Sequence, residues 1–273
     1  MRVAALKAVS AFIGGIDDSA IALTFSPVLP HLLNVIVEAL NEDEDQGRQA
    51  LESLDELTRA HPECWKTETS KLITVITQVV SQKTFEDGTR ATAIEVILSL
   101  SSQMPAPIRK AAQTKAELFP ALASMLMEIT EDDAEWLAEV EDQDRLNSNP
   151  VSTAASAITR LAEDLQEKTT LACCQPIIAE LVLKENPVQR QAGYSMIGLI
   201  AETCKETFAK TLTDVLQTAS AGVRDGDQKV RYAALASLSQ LMEQLSPYVQ
   251  IKYHAELIPV LTQLMLNEAT LKL

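Results

Sequence analysis

Glycine, aromatic side chains and metal-binding clusters are what this chain has least of. Eight glycines and 4% Phe, Trp and Tyr in 273 residues leave little for the tight turns and aromatic-rich strands of a β-protein. No CxxC pair occurs among Cys64, Cys173, Cys174 and Cys204, and His31, His61 and His254 are far apart in sequence, so no zinc pattern is present. A Gly-rich phosphate loop, G-x-S-x-G and H-E-x-x-H are also missing. The best divalent-cation candidate, NEDEDQG at 41–47, lacks the D-x-D-x-D-G spacing and the Glu that closes such a loop. We therefore expect no enzyme, no cofactor and no resident metal. There is no N-x-S/T sequon, no readable signal peptide, and no apolar run approaching the ~18 residues of a membrane span. Cys173 and Cys174 are adjacent in an apolar run and cannot readily bridge each other, which points to reduced, buried thiols and a cytoplasmic or nuclear location.

Positive charge is scarce too. Against 38 Asp and Glu stand 23 Lys and Arg, a formal net charge of -15. Direct binding to nucleic acid or to an anionic membrane is disfavoured, whereas a basic protein partner is drawn in. The charge is also concentrated, because residues 128–145 hold nine carboxylates and one Arg.

What is abundant is Leu, Ala, Glu, Thr and Ser, the composition of helices packed by small aliphatic side chains. One helix recurs six times, in MRVAALKAVSAF (1–12), GRQALESLDEL (47–57), TRATAIEVILSL (89–100), STAASAITRLA (152–162), QRQAGYSMIGLI (189–200) and VRYAALASLSQL (230–241). Aligned, the copies share a small residue, Ala5, Ala50, Ala93, Ala154, Gly193 and Ala234, followed at +1, +4 and +7 by mostly aliphatic side chains. Spacings of three and four mark one apolar face of a helix, and the small column admits a close neighbour. A second apolar segment precedes each later copy, so the unit is helix A, turn, helix B. Asn149-Pro150, Asn186-Pro187, Asp45, Asp87 and Asp227 supply capping chemistry before helix B. An Arg recurs at the start of B at Arg2, Arg90, Arg190 and Arg231, with Arg48 one residue out of register.

Four of the five intervals between small residues lie close to the ~40–47-residue period of HEAT repeats. The fifth is longer, and its excess makes the acidic stretch an insertion in a repeat turn. The expected fold is all-α, an α-solenoid or superhelix of antiparallel A/B pairs. It divides as a partial repeat 1–15, repeats at about 26–60, 64–102, 105–165 (with insertion 130–148), 168–204 and 205–245, and a partial repeat 246–273. Half-repeats at both ends lack polar caps, so we expect an excised piece of a longer protein with apolar faces exposed at its ends.

The segments HPECWK (61–66), FEDGTR (85–90), NEDEDQGRQALESL (41–54), EKTTLACC (167–174), VRYAAL (230–235) and KYHAELIPVL (252–261) resemble the central region of the importin-β superfamily of karyopherins, in its importin beta-3 subgroup. The resemblance implies a nuclear transport receptor that takes lysine-rich cargo, contacts FG nucleoporins, releases cargo when Ran-GTP binds, and shuttles between cytoplasm and nucleus. It further implies that the polar faces of the B helices form the concave cargo surface. That places Glu52, Glu56, Glu95, Glu163, Asp164, Glu202 and Glu243 as candidate cargo or Ran contacts, through charge-assisted hydrogen bonds to basic heads. The acidic insertion, with Glu131, Asp132, Asp133, Glu135, Glu139, Glu141, Asp142 and Asp144, sits where the superfamily carries an acidic loop. Interleaved Trp136 and Val140, four apart, suit a short amphipathic helix packed back on the array. The alternative is a HEAT scaffold of the phosphatase-regulatory type with no transport role. His61 and Trp65 are read as packing residues in a His-Pro turn, His254 with Tyr253 likewise, and Met125, Met127, Met196, Met242 and Met265 as core filler.

Overall fold

The computed structural model describes residues 1–128 and 149–267, which are helical with no strand among them. In chain order the helices are α1 (Arg2–Gly14), α2 (Ser19–Leu23), α3 (Leu29–Glu42), α4 (Glu44–Ala60), α5 (Thr69–Ser81), α6 (Asp87–Gln103), α7 (Pro105–Lys110), α8 (Phe119–Met125), α9 (Pro150–Leu181), α10 (Pro187–Leu199), α11 (Lys205–Lys210), α12 (Leu212–Gly222), α13 (Gln228–Gln244) and α14 (Tyr248–Asn267). The described residues form two compact units, one of residues 1–126 and 150–176, the other built mainly of 177–267.

In the first unit α3 packs on α4 and α5 on α6, each an A helix on the B helix that follows it, and the B helices stack as α1, α4, α6. A connector as short as Asp43 leaves α3 and α4 no arrangement but an antiparallel pair. Small residues set how closely they approach. A Cβ on Gly47 would fall 2.7 Å from the Leu40 Cα. Ala50, Leu51, Leu54 and Leu57 of α4 and Ala93, Ile94, Ile97 and Leu100 of α6 are buried, the same column in both copies. The first copy differs. Along α1 burial follows Val3, Leu6, Ser10 and Ile13, while Ala5 is exposed and Phe12 is 65% exposed, in a T-shaped contact with Phe25.

Helix α9 joins two repeats. Its course breaks at Gln166 (φ 64°, ψ 164°), where B of one repeat ends and A of the next begins. That backbone region is essentially reserved for glycine. The A segment of the 105–165 repeat is itself interrupted, as α7, a wide turn at Thr114–Leu118 and then α8. In the second unit α12 and α10 both pack on α13. Gly193, the small residue of α10, is buried with Leu181 Cβ and Val182 N about to touch any added Cβ at 3.0 Å.

The stretch Ser19–Glu42 is more apolar than the sequence reading allows, with an 18-residue window of mean hydropathy 1.8. Length and composition alone would let it cross a membrane. It folds instead as α2, a tight turn at Ser26–Val28 and α3, and Leu29, Leu32, Leu33, Ile36, Ala39 and Leu40 of α3 are buried in the first unit. All four cysteines are free and buried, as expected. Trp65 and His61 are buried at the turn into α5, with Nδ1 of His61 3.0 Å from Glu63. His254 is not a packing residue. It is exposed on α14, its Nδ1 3.0 Å from the Gln250 carbonyl, and Met265 is exposed too.

Candidate protein-binding surface on the B helices

Helix starts are fixed by the turn chemistry that precedes them. Asp227 caps α13 by accepting from the amides of Lys229 and Val230, and Asn186 caps α10 by accepting from Val188 at 2.9 Å. For α4 the cap is Asp43, which accepts from Gln46, and Asp45 lies inside the first turn; Asp87 is likewise the first residue of α6 and its cap position, Glu86, makes no capping bond. Both sit where a carboxylate meets the positive end of the helix dipole.

The recurring arginines reach into these turns. In the second unit Arg190 holds Asp225 with both ends of its fork, at 2.7 and 2.8 Å, and donates to the carbonyls of Lys184 and Glu185. Its hydrogen bonds keep the Asp225 carboxyl below the ordinary carboxylate range although burial pushes the other way. Arg231 closes the same turn through the carbonyls of Asp225 and Gly226. In the first unit Arg48 pairs with Asp45 at 3.0 Å and lies 3.7 Å from Glu86, one repeat on. Arg90 is 2% exposed and donates to the Val80 carbonyl at 2.8 Å. These arginines hold turns. Sequence reasoning identified the arginines but not their acceptors Asp225 and Glu86, whose signal is an acid one or two residues ahead of the expected Asp.

Side-chain bridges also join neighbouring B helices of the first unit. Lys7 of α1 donates to Gln49 of α4 at 2.6 Å. Arg59 of α4 donates to Ser99 of α6 at 3.1 Å and pairs with Asp55 of its own helix at 2.6 Å. Arg160 of α9 pairs with Glu95 of α6 at 2.7 Å. Ser101 of α6 donates to the Asp164 carboxylate, and Arg109 donates to the Asp164 carbonyl, each at 2.5 Å.

The seven candidate carboxylates therefore separate. Glu52 and Glu56 of α4 and Glu163 of α9 are exposed and have no hydrogen-bond or ion-pair partner among the described residues. Glu95 is engaged by Arg160. Asp164 departs from the expectation of a solvent-facing carboxylate: it is half-buried and accepts from Ser101, because it lies at the turn where α9 kinks against α6 and α7. In the second unit Glu243 is exposed in the last turn of α13. Glu202 is exposed but not on a B helix. Helix α10 ends at Leu199, and the ladder tightens from Ile200 bonding Met196 to Ala201 bonding Gly198, the usual way a helix closes. Residues 130–148, with Glu131, Asp132, Asp133, Glu135, Trp136, Glu139, Glu141, Asp142 and Asp144, lie outside the described residues.

Among the described residues no group of His, Cys, Asp and Glu is arranged to hold a metal ion. Burial pushes the Cys173 thiol up to about 11, although the charge of Lys115 opposes it, and burial raises Cys64 as well. Neither thiol is a nucleophile at neutral pH. The chemistry on offer is a solvated helix surface with unpaired carboxylates, suited to basic side chains of another chain.

Two family profiles match the chain, one described as Importin repeat over residues 82–172 and one as IPO5-like, TPR repeats over residues 1–75. Importin subunit beta-3 of Saccharomyces cerevisiae is 24% identical over 247 residues, covering 89% of this chain and 23% of that protein. Importin-4 of Homo sapiens is 25% identical over 245 residues, covering 86% of this chain and 22% of that protein. The chain thus spans less than a quarter of the curated relatives it matches. The crystal structure of Kap121p superposes with a TM-score of 0.89 at 23% identity, over 98% of this chain and 26% of that one. Kap121p bound to RanGTP superposes equally well, at 22% identity, over 98% of this chain and 27% of that one. At that identity the likeness is one of fold. With both importin profiles matching in turn along residues 1–172, and importins as its relatives, the chain belongs to the importin-β family of HEAT-repeat karyopherins.

Proposed function

We propose that this array is part of a nuclear import receptor that binds lysine-rich segments of cargo on the polar faces of its B helices, with release by Ran-GTP. The observation that carries this reading is the set of exposed carboxylates Glu52, Glu56 and Glu163 on B helices of the first unit, which have no partner among the described residues. A lysine head that meets such a carboxylate displaces only water, so contact is favourable without breaking a protein hydrogen bond. Supporting it, Kap121p has been solved with RanGTP, with Nup53p and with Pho4p, and one Kap121p mutant carries three acid-to-lysine replacements. Glu202 and Glu243 of the second unit are proposed as further contacts, and the acidic insertion as an additional acidic surface. FG nucleoporins are the proposed partners at the pore, and shuttling between cytoplasm and nucleus the proposed location. No catalytic step is proposed.

The test is binding of a lysine-rich peptide to the purified chain at low and at raised ionic strength. Micromolar or tighter binding that weakens with salt supports the reading. Absence of binding at low salt would overturn it and leave the scaffold alternative.

A further inference from the structure

Arg160 occupies one of the candidate carboxylates, Glu95. Its Nη1 lies 2.7 Å from Glu95 Oε1, with the two side chains 45% and 42% exposed. Among the described residues Arg160 makes only that one contact, so the guanidinium is not locked in a bidentate fork. Helices α6 and α9 do not depend on this pair, because Ser101 joins α6 to the Asp164 carboxylate and Arg109 of α7 holds the Asp164 carbonyl. Arg59 makes an instructive contrast. Its partner Asp55 has a side chain only 12% exposed, so Arg59 satisfies a carboxylate that the fold has buried. Arg160 satisfies one that water would otherwise satisfy.

We propose that Arg160 is an intramolecular competitor of the basic ligand, occupying the Glu95 carboxylate in the free protein and thereby setting the affinity and selectivity of the surface. This rests on the reading of that surface as a receptor for lysine-rich segments. A solvated pair of this kind opens at little cost, so a ligand with a basic side chain at the right spacing displaces Arg160, while one with fewer or misplaced lysines gains nothing at Glu95. The unpaired Glu52, Glu56 and Glu163 would then supply first contact, and Glu95 the discrimination.

The experiment measures anisotropy of a labelled lysine-rich peptide against the whole chain at low ionic strength. Variants are Arg160→Ala, Lys66→Ala, and Arg160→Ala combined with Glu95→Gln, each shown to be folded by its thermal transition. Lys66 is exposed and carries the same charge away from this pair, so its variant reports the effect of net charge alone. Arg160→Ala is expected to bind about two- to fivefold more tightly than the wild type, Lys66→Ala about as the wild type, and the double variant no better than the wild type. A gain in Lys66→Ala equal to that in Arg160→Ala, no gain in Arg160→Ala, or a gain that survives Glu95→Gln overturns the competitor role while leaving the receptor reading intact. Failure of both the wild type and Arg160→Ala to bind overturns both.

Discussion

Helices α4 and α6 have the same inner face and different outer faces. Inside, Ala50, Leu51, Leu54 and Leu57 repeat as Ala93, Ile94, Ile97 and Leu100, and every one is buried. Outside, α4 presents Glu52 and Glu56 with no partner among the described residues, whereas the one candidate carboxylate of α6, Glu95, is held by an arginine 65 residues further on. The inner face answers to a constraint every repeat shares, a neighbouring helix at close range. The outer face answers only to what its particular neighbours extend over it, and to whatever binds there.

The comparison breaks most severely from the inside. Leu54→Ala leaves a cavity between α4 and the helices packed on it and should cost about 2–5 kcal/mol, read as a lowered urea midpoint with the slope preserved. A loss under about 1 kcal/mol would mean that the α4 column is not core.

The turn arginines give a smaller, pH-dependent effect. Arg190 holds the Asp225 carboxyl below its ordinary value, so the unfolded chain takes up the proton at higher pH than the folded one. The stabilisation is therefore fully present above the unfolded carboxylate pKa of about 4 and is lost as pH falls through the lower folded value. Asp225→Asn should destabilise the second unit by about 1–3 kcal/mol at neutral pH. Its deficit against the wild type should shrink when the urea titration is repeated below pH about 4. A deficit independent of pH would contradict the assignment.

At the kink, Gln166 occupies backbone space that suits glycine. Gln166→Gly should stabilise by about 1 kcal/mol, the relief of strain exceeding the entropy glycine loses on folding. Thermal unfolding would register it as a rise of a few degrees, and a fall would show that the Gln side chain contributes more than its backbone costs.

The inner faces were legible in the sequence because spacings of three and four leave a direct trace, and the 61-residue interval between Ala93 and Ala154 marked the insertion in the same way. Asn186 and Asp227 were legible as caps because capping is local. The outer surface was not, because its determinants are remote: nothing around Asp164 announces Ser101, 63 residues earlier, and nothing around Glu95 announces Arg160. Glu202 was misplaced because the apolar column runs through Ile200 while the helix stops at Leu199. Ala5 and Phe12 fit the column by sequence yet lie exposed, since α1 buries only the edge formed by Val3, Leu6, Ser10 and Ile13.

The central claim is that unpaired carboxylates, and not acidic residues in general, receive the basic partner. The most direct test compares Glu52→Gln/Glu56→Gln/Glu163→Gln with Asp164→Asn in binding a lysine-rich peptide at low salt, with the stability of each measured alongside. The triple variant should keep its stability within about 0.5 kcal/mol per site, lose about tenfold or more in affinity, and show a shallower salt dependence. Asp164→Asn should lose stability and keep its affinity. Unchanged affinity in the triple variant, or an equal loss in Asp164→Asn, would contradict the account.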